Sequence, residues 1–321
     1  MSGVAGAVSA GAGSPAAADH RGKLQIPDQI SVSIGEGKWK TFAVVREQIP
    51  PELHADLARD FNQQELDQVY TKVHKSLAPT MDRPGALFVI GPSAVGKSVL
   101  SFTMVNEIFG SETNAVVVDG AEMRAVHNGW QAVARNGLER QLLHADAWPI
   151  FKSVGKEEGG VGISTRLKKR ILDEAIRDRQ NLVIPDCANE PKRLARTVEQ
   201  VKRAGYEVHC ICLWAPLSLT RARGEPRSIR DGKLWSGDDY DLSNREGAKM
   251  ALRCAQGMQS EPSVFKSLSL WDNTVFPAME VSLDRFIELA ASSTEEAEAV
   301  CSQHEPHLKR TRPRSARAAL C

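Results

Sequence analysis

No apolar stretch in this 321-residue chain approaches the ~20 residues that cross a bilayer as a helix, so no membrane span is expected. The N-terminus lacks a basic segment followed by a leucine-rich run, the pattern of a secretory leader, and a soluble cytoplasmic protein is the expectation. Six cysteines (Cys187, Cys210, Cys212, Cys254, Cys301 and Cys321) include no CxxC pair and no histidine at zinc-ligand spacing. They are read as reduced thiols, with Cys210 and Cys212 as small buried hydrophobes on one face of a strand. A preponderance of one charge is missing too: 41 basic side chains face 40 acidic ones, which removes any average attraction to nucleic acid or an anionic membrane. Internal repeats are absent as well.

What is present is ordinary globular material, 42% hydrophobic and 25% charged, enough for one sizeable core. Residues 1–23 are almost all Ala, Gly, Ser and Val; they offer little area to bury against their ordering entropy, and disorder is expected. Residues 24–80 read as a helical lead-in, because Leu53, Leu57, Phe61, Leu66, Val69 and Val73 recur at roughly helical spacing. After the breaker MDRPG, the short β-branched runs ALFVI, NAVVVD, NLVIPD, YEVHCICLWA and SLSLWDN alternate with stretches long enough for crossover helices. One of these, with Ile163, Leu167, Ile171, Ala175 and Ile176 on a single face, predicts an amphipathic helix. The expected fold over 81–290 is therefore α/β, a doubly wound parallel sheet of about five strands with helices on both faces. The remainder, 291–321, starts acidic and ends basic, and is expected to be a solvated, disordered tail.

The chemistry concentrates at Gly91-Pro92-Ser93-Ala94-Val95-Gly96-Lys97-Ser98, which matches GxxxxGK[ST]. Glycines allow dihedrals and close approaches that a Cβ forbids, so successive N–H groups turn inward to hold phosphate oxygens at a helix start. Lys97 is placed to reach the β and γ phosphates of ATP, and Ser98 to offer its hydroxyl to Mg²⁺. Chance would produce such a match on the order of once per hundred chains of this length. The strand ALFVI before it and the apolar helix VLSFTMVNEIF after it make coincidence less tenable still, and a P-loop NTPase is expected.

Three further elements surround this loop in the sequence. Asp186, ending the run NLVIPD, is read either as a second Mg²⁺ holder or as the N-cap of a helix starting near Glu190. Asp119, ending NAVVVD, lies where parallel sheets place ligands and is the candidate base for an acceptor hydroxyl. Glu122, Arg124 and His127 follow it as acceptor-side candidates, although an isolated histidine such as His127 reads first as a hydrogen-bonded structural residue. The segment SLTRARGEPRSIRDGK gathers Arg221, Arg223, Arg227, Arg230 and Lys233 with two glycines and a proline. It predicts a polar loop that closes over bound ATP as a lid, with Arg227 and Arg230 as the phosphoryl donors.

Taken in order, GPSAVGKS, NAVVVDG, NLVIPDC, YEVHCICLWA, the Arg-rich segment and the closing SLSLWDNT resemble the zeta-toxin domain family over about residues 81–290. Asp119 and Trp271-Asp272-Asn273 are its most diagnostic pieces beyond the phosphate loop. The resemblance implies a fold similar to nucleotide and chloramphenicol kinases and an ATP-dependent phosphorylation of a hydroxyl, which in bacterial members belongs to UDP-N-acetylglucosamine. Asp272 and Asn273 would then meet the adenine. This chain departs from the family in carrying Asp119-Gly120-Ala121 before Glu122 in place of two closely spaced acids. It also has Lys168 and Lys169 where an acidic sugar contact is common, and Pro185-Asp186-Cys187 in place of Glu-Gly-Thr; these point to a different small acceptor. The family context leaves an antitoxin-like partner open, with nothing in the sequence to assign one.

A guanine-nucleotide switch is disfavoured by the lack of NKxD, and an AAA-type motor by the lack of room for its helical subdomain. The reading is a small-molecule kinase, with an ATPase or an ATP-binding regulator as the alternative.

Overall fold

The computed structural model describes residues 28–291 apart from 35–37, 46–48, 157–159, 188, 276 and most of 235–263, where only 243, 246, 247, 249, 253 and 254 are described. The five apolar runs form five parallel strands. They are β3 (Gly85–Ile90), β4 (Ala115–Val117), β6 (Asn181–Asp186), β7 (Glu207–Trp214) and β8 (Ser267–Asp272), and β9 (Met279–Glu280) adds an antiparallel edge. Their order across the sheet is β4-β6-β3-β7-β8-β9, so β3 lies between β6 and β7 with Ile90 opposite both Asp186 and Cys212.

Every residue of β3 is buried, as a central strand covered on both faces requires. Its side chains alternate between two cores. Ala86, Phe88 and Ile90 enter the larger one, which also takes Ile163, Leu167 and Ile171 of α7 (Ile163–Arg177) and Leu194 and Val201 of α8 (Pro191–Arg203). Leu87 and Val89 enter the other, against Leu100 and Val105 of α3 (Lys97–Phe109). The expected doubly wound sheet is thus present, and the apolar stripe of 163–176 is its crossover helix.

The lead-in needs correction. It is helical from residue 51, with α1 (Pro51–Leu57) and α2 (Gln63–Lys72), but β1 (Gln29–Ser33) and β2 (Trp39–Val45) precede them as an antiparallel pair. β2 also pairs in parallel with β5 (Leu142–His144), making a second, three-stranded sheet. The reason is period-two patterning: Ile30 and Phe42 point into a small core with Leu143, Ala145, Ile229 and Leu234, while Ser31, Thr41 and Ala43 face outward. The expected disorder of 1–23 and 291–321 lies outside the described residues, apart from residue 291, which ends a helix over 283–291.

Between α2 and the rest of the molecule sits Glu65, fully buried. It forms a capping box with Asn62 at 2.9 Å in each direction, accepts a two-pronged bond from Arg59 at 2.7 Å, and accepts the Asn128 N–H at 2.8 Å. Burial alone would raise its pKa; the Arg59 fork and the two backbone donors override that and hold it at about 2.

The Arg-rich segment is also different from its expectation. It is not a loop but helix α9 (Leu217–Asp231), which runs through Gly224 and Pro226. Thr220, Gly224 and Ser228 fall one turn apart and form a buried face of small side chains, so tertiary docking outweighs the local cost of Gly and Pro. Gly232 ends the helix in the left-handed region, φ 66°, and Trp130 Nε1 donates to the Asp231 carbonyl at 2.9 Å.

Candidate functional site

The loop 91–98 leaves the C-terminal end of β3 and delivers its lysine as the first residue of α3. Two glycines are dictated by geometry. A Cβ on Gly91 would meet the Leu213 carbonyl oxygen at 2.7 Å, and Gly96 caps α3 at φ 98° with the Asn273 amide where a Cβ would lie. Ala94 also takes a left-handed conformation, φ 58°, so the loop turns its backbone inward twice. Of the first-turn amides of α3, that of Val99 donates to the Gly96 carbonyl at 3.1 Å, those of Lys97 and Ser98 precede the first intrahelical bond, and no acidic side chain occupies the turn.

Lys97 does not extend freely. Its Nζ donates to the carbonyls of Gly91 at 2.8 Å and Pro92 at 2.7 Å, and to Cys187 Sγ at 3.4 Å. The Ser93 N–H, one of the inward-facing donors, is given to Ser243 Oγ at 3.2 Å, and Gly247 packs against Gly91 and Pro92. Ser98 is exposed at the second helical position.

Asn273 Nδ2 donates to the Val95 carbonyl at 2.6 Å, tying the end of β8 to the loop, while Asp272 accepts from the Thr274 N–H at 2.8 Å. The family resemblance pointed these residues at adenine; in the structure Asn273 also ties the end of β8 to the loop backbone. Asp186 ends β6 beside Ile90, and its carboxylate accepts from Arg193 of α8 at 3.0 Å. Its carbonyl accepts the Gly91 N–H at 3.2 Å. The N-cap alternative is corrected: α8 is preceded by Glu190, with no side-chain cap, and Asp186 is held by an ion pair. Cys187, next in the chain and touching Lys97, was missed, since a single cysteine after a strand carries no pattern.

Where the sequence reading placed the acceptor, Asp119 follows β4 and caps α4 (Gly120–Arg124) by accepting the Ala121 N–H at 2.9 Å. Lys168 of α7 lies over Gly120, its Cδ 3.5 Å from where a Cβ would stand. Glu122 pairs with Lys72 at 3.2 Å. Arg124 is almost fully buried between the rings of Trp130 and Trp148, 5.1 and 5.2 Å from their centroids, and burial lowers its pKa against the opposing pull of Asp119 and Asp231. Lys233 lies over the Trp148 ring at 4.5 Å.

His127 takes the structural of its two readings. It is wholly enclosed, its Nδ1 accepts the Trp130 N–H at 3.2 Å as the cap of α5 (Asn128–Arg140), and its Nε2 faces the Arg59 carbonyl at 3.3 Å. Burial lowers its pKa, which fits a neutral capping acceptor.

On α9, Arg227 and Arg230 both donate to Asp231, at 2.5 and 2.9 Å. Arg223 differs: its Nη1 is buried and makes no hydrogen bond to protein, and burial lowers its pKa. α9 starts beside the phosphate loop, since Leu219 packs into the core that holds Val95 and Leu100. A recess of about 380 Å³ along α2, lined by Gln64, Asp67, Gln68, Thr71 and Lys72, includes none of the loop residues.

No protein-family model matches this sequence, and no curated protein does. Among solved structures, the chain is similar to one from the PezAT chromosomal toxin–antitoxin system of Streptococcus pneumoniae, at 15% identity and TM-score 0.48 over 76% of this chain and 97% of that one. It is also similar to an AvrRxo1-ORF1:-ORF2 complex with ATP, at 13% identity and TM-score 0.38 over 82% and 74% of the two chains. A native AvrRxo1-ORF1:-ORF2 complex aligns at 11% identity and TM-score 0.41 over 77% and 79%. Among the described residues, no helix is long and apolar enough to cross a membrane.

Proposed function

We propose that this chain is an ATP-dependent phosphotransferase that moves the γ-phosphoryl group to a hydroxyl of a small acceptor. The carrying observation is the loop itself: left-handed turns at Ala94 and Gly96 ahead of Lys97, at the C-terminal edge of the sheet. The residues present fit a triphosphate, because the amides of Lys97 and Ser98 open α3 ahead of its first intrahelical bond and Arg223 holds a buried, unused guanidinium N–H on the helix that begins beside the loop.

In this reading Lys97 exchanges its bonds to Gly91 and Pro92 for phosphate oxygens. Ser98 and Asp186 would hold Mg²⁺, which supplies positive charge to the phosphates; for Asp186 this competes with Arg193. Asp119 takes the acceptor's proton, with Glu122 as the substitute. Arg223, Arg227 and Arg230 would reach the phosphoryl group from α9, a helical wall in place of the lid loop read from the sequence. Lys168 beside Gly120 favours an acceptor that carries negative charge, such as a nucleotide sugar.

A second reading, nucleotide binding without an acceptor, draws on the loop's own contacts: Ser243 occupies the Ser93 N–H and Lys97 is turned inward. Incubation with γ-labelled ATP, Mg²⁺ and a panel of nucleotide sugars, nucleosides and extract metabolites separates the two. A labelled metabolite formed by wild type and not by Lys97→Ala is expected. Label recovered only as inorganic phosphate, or left on ATP, would favour the second reading.

A further inference from the structure

Cys210, Cys212 and Cys254 converge in space although nothing in their spacing announces it. Cys210 and Cys212 project from the same face of β7 with their sulfurs 3.8 Å apart, and Cys254 arrives from a separate stretch of chain. All three sulfurs lie within 4.8 Å of one another, and all three residues are buried in the core that contains Trp214, Phe265 and Leu270.

The geometry fits a coordinated ion better than a covalent cross-link. Sulfur–metal bonds of about 2.3 Å place ligand sulfurs roughly 3.8–4.0 Å apart in tetrahedral or trigonal sites. A disulfide demands about 2.05 Å. Among the described residues the group contains sulfur donors alone, with no carboxylate or imidazole, and its walls are apolar. Such a donor set rejects Mg²⁺ and Ca²⁺ and selects soft, thiophilic ions.

We propose that Cys210, Cys212 and Cys254 form a three-sulfur site for one thiophilic metal ion, Cu(I) or Zn²⁺. The site lies immediately behind the phosphate loop. Cys212 pairs with Ile90, the residue before Gly91, and with Leu270, two residues before Asp272. An ion there fastens the stretch bearing Cys254 to the sheet, and Gly247, earlier in that stretch, is the residue packed on Gly91 and Pro92. Its task is structural, holding the wall of the nucleotide site whether or not phosphate is transferred.

The test uses the full chain, reduced and stripped of metal, titrated anaerobically with Zn²⁺ or Cu(I) against a competing chromophoric chelator while the ultraviolet thiolate-to-metal band is followed. One equivalent of ion with a rise in melting temperature is expected for wild type and for a Cys301→Ser/Cys321→Ser control. Cys254→Ser should bind at least about 100-fold more weakly, more than the loss of a group that merely supports a ligand. Zinc capture with solvent as fourth ligand and trigonal copper capture both support the site and identify the ion. Failure of wild type to take up either ion overturns it, and so does unchanged affinity in Cys254→Ser. The first of these failures is read on wild type alone, so a variant that misfolds does not shield the proposal.

Discussion

Lys97 is satisfied before any ligand arrives, and nucleotide binding therefore requires it to break two hydrogen bonds to carbonyls. In the proposed reaction Lys97→Ala removes a group needed at the phosphates and, with it, two bonds to loop carbonyls, while the glycines still impose the loop's turns. The expected result is a loss of transfer of about 100- to 1,000-fold, the scale of one preorganised donor, with the fold retained. Asp119→Asn offers a cleaner dissection of base from cap. Asparagine caps a helix as well as aspartate does, so stability should hold while transfer falls by about 100- to 10,000-fold. A fall confined to Glu122→Gln would move the base to that residue. Glu65 gives a pH prediction. Its pKa falls from 4.5 to about 2 on folding, so the stability it contributes is complete above about 4.5 and is lost as the pH drops toward 2. Glu65→Gln should cost about 2–3 kcal/mol at neutral pH, the range for losing hydrogen bonds to a charged group. The gap between the two unfolding curves should close in acid; a gap independent of pH would contradict the assignment.

At the scale of elements, α1 and α5 approach so closely that Gly129 is the contact: a Cβ there would overlap the Asp56 carbonyl. Gly129→Ala should therefore destabilise by about 1–3 kcal/mol through overpacking, although alanine is the better helix former by about 1 kcal/mol. Chemical denaturation measures the sign. A stabilised variant would mean that the helices part without cost.

The same scale explains which elements were legible. β3 was visible because burial on both faces leaves an unbroken apolar run, as it does over most of β6 and β7, β8 because its leucines alternate with serines, and α7 because one side of it is buried and the other is wet. β1 and β2 were hidden, since the alternation over QISVS is only five residues long and WKTFAVV does not alternate cleanly, its Ala43 facing out and Val44 and Val45 half-buried. α9 was hidden for the opposite reason: Gly224 and Pro226 signal a break, and the face that rescues the helix consists of small residues that carry no hydrophobic period. Among site residues, the phosphate loop was readable as a local pattern. Asn273 was named only through the family resemblance, and Ser243 and Cys187 come from distant segments with no spacing rule to connect them to residues 91–98.

For the whole molecule, the two sheets divide the labour. The larger one positions the phosphate loop, Asp119 and Asp186 at one edge, as the alternation of runs implied. The smaller one takes Ile30 and Phe42 from before the loop, Leu143 from after it, and Ile229 from the Arg-rich helix, and buries them together. Helix α9 is thereby braced at its far end by residues that precede residue 50.

That bracing changes where the protein could be divided. The breaker at MDRPG marks a boundary in the sequence, and residues 81–290 look like a unit that would stand alone. A fragment starting at residue 81 would lose β1 and β2, strip the cover from Leu143 and Ile229, and remove Glu65 from the start of α5. Such a fragment should be sticky and poorly soluble. The severed β1–β2 pair supplied in trans would then be its natural remedy, making that pair behave toward the larger sheet's portion of the chain as a built-in chaperone.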